Sequence, residues 1–366
     1  MHFLSQKKTL LNAISTVQKA VSSKTTLPIL KGIYIEAISN HLKFVATDLE
    51  IGIEHITESN IVEEGSVVVD ARLFSEIVRK LPDAEVEIFL REQQLVIKCQ
   101  NTEFNILFYP SDEFPELPTV QQNTNYEINN QVFKNMIRQT SFATSQDEMK
   151  PVFTGVLVEI QDSTLNMVAL DGYRLALKKV EISEEQNNKA IIPAKTLNEI
   201  SRIMDDSDDT VYMTLSDKHA LFTLGQSKLI SRLLEGEFIN YKQIIPKEYK
   251  TKIKVNTELL LNSVERAALI SREGKNNPIK LIVNSDKLII TSNSEVGKVH
   301  EEIDIEIEGE DISIAFNSKY LLDVLKIIED KYIYIDFMTS INPGLIRPEE
   351  DTNYKYLILP VRISED

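Results

Sequence analysis

What this chain of 366 residues has little of narrows its chemistry before any motif is considered. It holds one cysteine, Cys99, so an internal disulfide framework is excluded and a reducing cytoplasm is expected. Glycine is scarce at 11 residues, and neither GxGxxG nor GxxxxGK[ST] occurs, which argues against a nucleotide-phosphate cradle. The five histidines (His2, His41, His55, His219, His300) are scattered without metal-ligand spacing. No Cys/His or Ser/His pairing stands out as a nucleophile. No apolar run reaches the roughly 18 residues expected of a membrane span. The opening MHFLSQKKTLLNAI has the pattern of a strand plus an amphipathic helix, not of a signal peptide. Basic charge is also short: 40 Lys and Arg against 56 Asp and Glu give a net −16. Taken whole, that balance argues against a protein that coats nucleic acid with a basic surface. The expectation is a cytoplasmic non-enzyme with no metal and no cofactor.

What is present is repetition. The length suggests two or three domains, and 42% apolar with 26% charged residues describes a soluble globular chain. HLKFVATDLE (41–50), STLNMVALDG (163–172) and DKLIITSNSE (286–295) share apolar alternation, with starts 122 and 123 residues apart. VVVDARLFSEIVRKL (67–81), AIIPAKTLNEISRIM (190–204) and SIAFNSKYLLDVLKI (313–327) recur every 123 residues. Each is an apolar strand, a polar break (Asp70, Pro193, Asn317) and a helix. The helix faces are Phe74, Ile77, Val78, Leu81 in the first copy and Leu197, Ile200, Ile203, Met204 in the second. The third has Leu321, Val324, Leu325 and Ile328. An earlier helix also repeats, around Leu10-Leu11-Ile14-Val17, Phe133-Met136-Ile137 and Leu259-Leu260-Val264. The pattern predicts three tandem α+β domains, each with two helices and about eight antiparallel-rich strands. Boundaries at 1–122, 123–246 and 247–366 fall in the Pro-rich YPSDEFPELPTVQQN and near IIPKEYK.

Charge is unevenly placed. The first helix carries Lys7, Lys8 and Lys19 with no acid, and QVFKNMIRQT carries Lys134 and Arg138 with none. DARLFSEIVRK, AKTLNEISR and SKYLLDVLK each have a basic excess, and only ELLLNSVERAALISR is neutral. The helical segments net about +8, leaving about −24 for the remainder. A basic helical face on an otherwise acidic body draws a polyanion to one place and repels it elsewhere. Helix periodicity alone nominates Lys134 and Arg138 for such a face. The acidic run DDSDDT (205–210) is the one stretch that invites a carboxylate-held Mg²⁺, but an acid run after a helix is more simply a solvated loop.

In VALDGYRLAL (168–177) Asp171-Gly172 interrupts a strand-like run, which signals a hairpin turn or a loop built to hold something. Together with TTLPILKGIYIEA, ATDLE and YLILPVR, in this order across three repeats, the stretch resembles the bacterial DNA polymerase III beta subunit, the sliding-clamp family, along the whole chain. The resemblance implies a DNA clamp fold dimerising head to tail into a six-domain ring around duplex DNA. It further implies tethering of the replicative polymerase, and partners (a clamp loader among them) that bind through short linear peptides. A protein that binds peptides as a scaffold and never encircles DNA is the alternative.

The resemblance also assigns residues. The partner-peptide pocket would be Phe153, Leu170, Gly172, Tyr173, Arg174 and Leu175, with Ile239, Gln243, Ile244 and Tyr320. The C-terminal stretch adds Leu357, Ile358, Leu359, Pro360, Val361 and Arg362. Arg174 is expected as a charged rim and Gly172 as a point of close backbone approach. Lys7, Lys24, Arg72, Arg79, Lys150 and Lys195 match basic, DNA-contacting positions. At the protomer interface, Ile77, Leu81, Phe104 and Ile106 of one chain would face Leu269 and Ile270 of the other. Three departures stand out. Glu103 and Lys298 reverse the polarity usual at a facing pair, Leu170 replaces a pocket-wall threonine, and Ser364-Glu365-Asp366 runs past the usual end.

Overall fold

A computed structural model describes residues 1–22, 25–120, 125–204, 209–272 and 277–362. Lys24, residues 205–208 of the acidic run and Ser364–Asp366 lie outside the described residues. Six α-helices follow one another as α1 (Lys7–Val17), α2 (Ala71–Lys80), α3 (Asn130–Thr140), α4 (Ala194–Ile203), α5 (Thr257–Ser271) and α6 (Ser318–Leu325). Each follows directly on a strand, and each pair of helices encloses several more strands. Among the described residues the three repeats carry nine, eight and nine strands. The fold is α+β, as the periodicity predicts.

The helix starts follow from local chemistry. The Asp70 carboxylate accepts from the Leu73 amide at 2.8 Å, and the Asn317 side chain accepts from Lys319 at 2.9 Å. Asn256 caps α5 through the Leu259 amide at 3.0 Å. Pro193 has no such acceptor and simply ends its strand. Below these caps the predicted faces are buried. Phe74, Val78, Leu197, Ile200, Leu321, Val324 and Leu325 are all at most 2% exposed.

The chain divides into two compact units, Met1–Phe133 with Lys195–Leu233, and Lys134–Ala194 with Leu234–Asp366. The first unit holds a five-stranded and an eight-stranded antiparallel sheet. In the larger sheet Ser227–Arg232 pairs with Ile51–Glu58, Leu229 opposite Ile53, so a strand of the second repeat continues a sheet of the first. His55 and Ser227 are buried at this seam and share a 2.8 Å hydrogen bond. The second unit holds a nine-stranded and a four-stranded sheet. Its seam is Arg174–Glu181 against Tyr354–Ile358, Leu175 opposite Leu357. Pairing strands of successive repeats covers edges that each repeat would otherwise leave open. α1 packs on α2 in the first unit and α5 on α6 in the second.

Candidate functional site

The interrupted stretch at 168–177 is a hairpin. Thr164–Leu170 and Arg174–Glu181 pair antiparallel, with Leu170 opposite Leu175. The Asp171 carboxylate accepts from the amides of Tyr173 (2.9 Å) and Arg174 (3.1 Å). Gly172 has φ +94° with no atom within 4 Å of where a Cβ would sit, so the turn needs its backbone freedom and leaves its outer side open.

One face of this hairpin is also the wall of an apolar cluster. Leu157, Val168, Leu170, Leu175, Leu177 and Leu357 are buried together with Ile191, Tyr241 and Leu345. Phe153 packs against them, as do Val152, Leu234, Phe238 and Ile245. The segment after Leu233 folds back over the sheet. The Leu234 amide donates to the Ile191 carbonyl at 2.9 Å, and the Tyr241 hydroxyl donates to Glu159 at 2.6 Å. Burial pushes the Tyr241 phenol up, and the Glu159 carboxylate that accepts its proton raises it further.

Strand alternation sorts the expected pocket residues. Phe153, Leu170, Leu175 and Leu357 belong to the cluster. Ile358 is buried too, but successive side chains point to opposite faces, so it turns away from Leu357. Ile239, Gln243 and Ile244 are exposed, while Phe238, Tyr241 and Ile245 turn inward. The expectation in this segment misses the inward-turning residues because a short helical turn at Tyr241–Gln243 resets which positions face the sheet. Leu359, Pro360 and Val361 are half-buried and Arg362 is exposed. Their run is held by Leu359 donating to the Tyr173 carbonyl and Val361 to that of Ala315, both at 2.8 Å.

Arg174 is not a rim charge. It lies opposite Ile358 on the face turned away from Leu175, and it is 8% exposed. Its guanidinium donates to Asp171 at 3.0 Å, to Asp323 of α6 and to the Phe142 carbonyl at 2.8 Å. The ring of Tyr320 lies beneath it at 4.5 Å. Tyr173 does reach solvent, at 62% exposure, and stacks on Tyr320 with ring centres 6.3 Å apart. Burial lowers the Arg174 pKa, but the neighbouring phenol and carboxylates outweigh it and hold the charge firmly in place.

Six of the predicted basic residues lie on helices and Lys150 in a loop, yet several are already engaged. Lys7 donates to the Leu81 carbonyl at the end of α2. Lys195 pairs with Asp48 at 2.9 Å, Arg72 with Glu76 at 3.0 Å and Arg138 with Glu329. Lys134 is half-buried. Arg79 and Lys150 are exposed; the hydrogen bond of Arg79 is a long one to Ser75, 3.4 Å.

Comparison with known proteins decides the family. Models of the N-terminal, central and C-terminal domains of the DNA polymerase III beta subunit match residues 1–118, 127–240 and 242–362. The chain belongs to the DNA polymerase III beta subunit family. It is 40% identical to the beta sliding clamp of Bacillus subtilis (strain 168), over 99% of this chain and 100% of that one. The crystal structure of the Bacillus subtilis DNA polymerase sliding clamp superposes with TM-score 0.96 at 40% identity, covering 99% of each chain. A Pseudomonas aeruginosa sliding clamp bound to griselimycin has TM-score 0.96 at 27% identity, covering 99% of this chain and 100% of that one.

For a beta-subunit family member the expected protomer-interface residues divide in two. Ile77, Leu81 and Ile106 are 3–7% exposed and pack mostly inside the first unit. Phe104 and Leu269 are 37% and 62% exposed, and Ile270 is half-buried. Leu73 and Leu107, which the sequence reading passed over, are exposed as well. Glu103 is held in its own sheet by Arg91 at 3.2 Å and Lys98 at 3.4 Å, and Lys298 is exposed. Among the described residues no helix is long and apolar enough to cross a membrane.

Proposed function

We propose that this sliding clamp acts as a head-to-tail homodimer, a closed ring around duplex DNA that tethers the replicative polymerase during processive synthesis. Domains 1–122, 123–246 and 247–366 would form half of that ring. The carrying observation is the run of three consecutive family matches over residues 1–118, 127–240 and 242–362. Two sheet edges support the dimer. Thr102–Leu107 ends the five-stranded sheet and Gly297–Asp304 ends the four-stranded one, each paired on one side only among the described residues. Open edges, one of them ending in the exposed Leu107, suit strand addition between copies.

DNA would be held by weak, sequence-blind phosphate contacts from Lys7, Lys24, Arg72, Arg79, Lys134, Arg138, Lys150 and Lys195, which lets a ring slide. The apolar cluster beside Gly172 would take short linear peptides of the polymerase, the clamp loader and other partners, with Leu170 favouring apolar anchors. No catalytic residue, metal or cofactor enters this cytoplasmic role. Light scattering at micromolar concentration tests the dimer: a mass near twice 41.7 kDa is expected. Retention on circular but not linearised DNA after loading tests encirclement. Equal loss from both would leave a peptide-binding scaffold.

A further inference from the structure

Residues directly opposite in a sheet share a face, so the cluster's face can be followed across the nine-stranded sheet. One row runs Leu170, Leu175, Leu357, Leu345, Asp336 and Lys252. The next runs Leu157, Val168, Leu177 and Lys355. Each row changes from apolar to charged, the first after Leu345 and the second after Leu177, two strands earlier, so Lys355 stands on the same strand and face as Leu357, two residues away. A cavity of about 340 Å³ lies beside these charged positions, lined by Leu345, Arg347, Lys355 and Asp336 below and by Lys247, Glu248 and Tyr249 from the covering segment. Leu345 belongs to both the cluster and the cavity wall.

We propose that the peptide cleft continues into this cavity, and that Lys355 and Arg347 there receive a carboxylate side chain of the bound partner peptide. The inference rests on the peptide-binding reading of the cluster. Arg347 commits Nε and Nη2 to Asp336, at 2.9 and 3.0 Å, and its Nη1 has no acceptor among the described residues. Asp336 is thereby neutralised, and Lys355 is half-buried, its ammonium with no hydrogen bond or ion pair to any described residue. Burial lowers the Lys355 pKa, and Lys179 and Arg347 beside it lower it further; a bound carboxylate reverses that cost. A carboxylate there meets a cation and open guanidinium donors at the end of an apolar path. The volume is ample for an acidic side chain, and the chain as a whole carries net −16, so outside the basic helices its surface does not attract an acidic peptide.

The test uses fluorescein-labelled peptides with a Leu-Leu-Phe anchor and one glutamate placed one to four residues beyond it, each with a glutamine twin. Fluorescence polarisation against the full chain should show one register in which glutamate binds about five-fold tighter than glutamine, a preference that fades with added NaCl. Lys355→Arg should keep the preference. Lys355→Gln should abolish it while the glutamine peptides bind as before. A glutamate-to-glutamine ratio near one in every register, or a preference that survives Lys355→Gln, overturns the cavity assignment alone. Failure of every peptide to bind overturns the cleft itself, and the cavity assignment with it.

Discussion

The guanidinium of Arg174 lies 4.5 Å above the ring of Tyr320, with Phe142 at 5.5 Å. Phe142 in turn stacks on Tyr356, ring centres 5.8 Å apart. The Tyr356 hydroxyl donates to the Tyr320 carbonyl at 2.9 Å, closing the set. Hairpin, C-terminal strand and α6 therefore meet on one planar cation whose other donors go to Asp171 and Asp323. A planar, forked donor is what such a junction needs, and lysine offers neither the plane nor the fork. The hairpin wall of the apolar cluster is thus fixed from behind by a residue on the sheet's other face.

Arg174→Ala should destabilise the chain by about 3–5 kcal/mol, because it strands the carboxylates of Asp171 and Asp323 beside a buried, empty site. Arg174→Lys should recover only part of that loss. Thermal unfolding of the three proteins checks the order. A melting temperature unchanged by Arg174→Ala would mean that the stacking and ion pairs contribute nothing net.

Tyr241 ties the covering segment to the sheet through Glu159. Burial pushes the Glu159 carboxyl up, but hydrogen bonds from Tyr241 and Lys242 outweigh it and hold it below the usual carboxylate range. A depressed carboxyl stabilises the fold above its unfolded pKa of about 4.3 and ceases to do so as pH falls through the lower folded value. Tyr241→Phe should cost about 1–2 kcal/mol at pH 7. The difference from the parent should shrink as pH drops below 4 or so, as the carboxyl takes up its proton. Urea unfolding of both proteins at several pH values measures the gap; a gap constant with pH would remove Glu159 from the account.

Much of this was legible in the sequence because it is local. The helix faces at Phe74–Leu81 and Leu321–Ile328, the caps at Asp70 and Asn317, and the turn at Asp171-Gly172 all follow from residues within a few positions. The seam between Ser227–Arg232 and Ile51–Glu58 leaves no such trace, since its partners are far apart in the chain and each strand reads the same with any neighbour. The same holds for Arg174 with Asp323, separated by 149 residues. Family likeness brought Arg174 to the right place but not to the right face. Alternation from Leu175, two-periodic and visible in LALK, was the signal that would have turned it inward. Tyr241 was equally visible as one of the two aromatics of GEFINY, yet only the fold shows which of that segment's apolar residues point down. Leu345 and Lys355 gave no signal alone, because each matters through its cross-strand neighbours.

The reversed pair at the proposed protomer interface is testable by mass. Glu103 already sits between Arg91 and Lys98 in its own sheet, so part of its charge is spent before a second copy arrives. Lys298→Glu alone should weaken the dimer, and Glu103→Lys with Lys298→Glu should restore some of the loss, with a coupling of about 0–1 kcal/mol. Dimer fractions from dilution in an analytical centrifuge give that coupling. No recovery in the double variant would exclude Glu103 as the partner of Lys298.

Among the candidate DNA contacts, ion pairing within the chain separates the residues by expected effect. Arg72 and Lys195 each face a carboxylate at 3.0 Å or less, so a phosphate must compete for them. Arg79 and Lys150 are exposed cations with no such pair among the described residues. Arg79→Ala and Lys150→Ala should therefore shorten residence on nicked circular DNA more than Arg72→Ala or Lys195→Ala. Each of the first two should also lower the slope of log affinity against log salt by about one, the signature of a lost phosphate contact. The dimer mass should be the same in all four variants, which keeps ring stability out of the comparison. Should Arg72→Ala and Lys195→Ala prove the more damaging, their carboxylate partners would be holding them in position for DNA, and Asp48→Asn would then reduce retention as well.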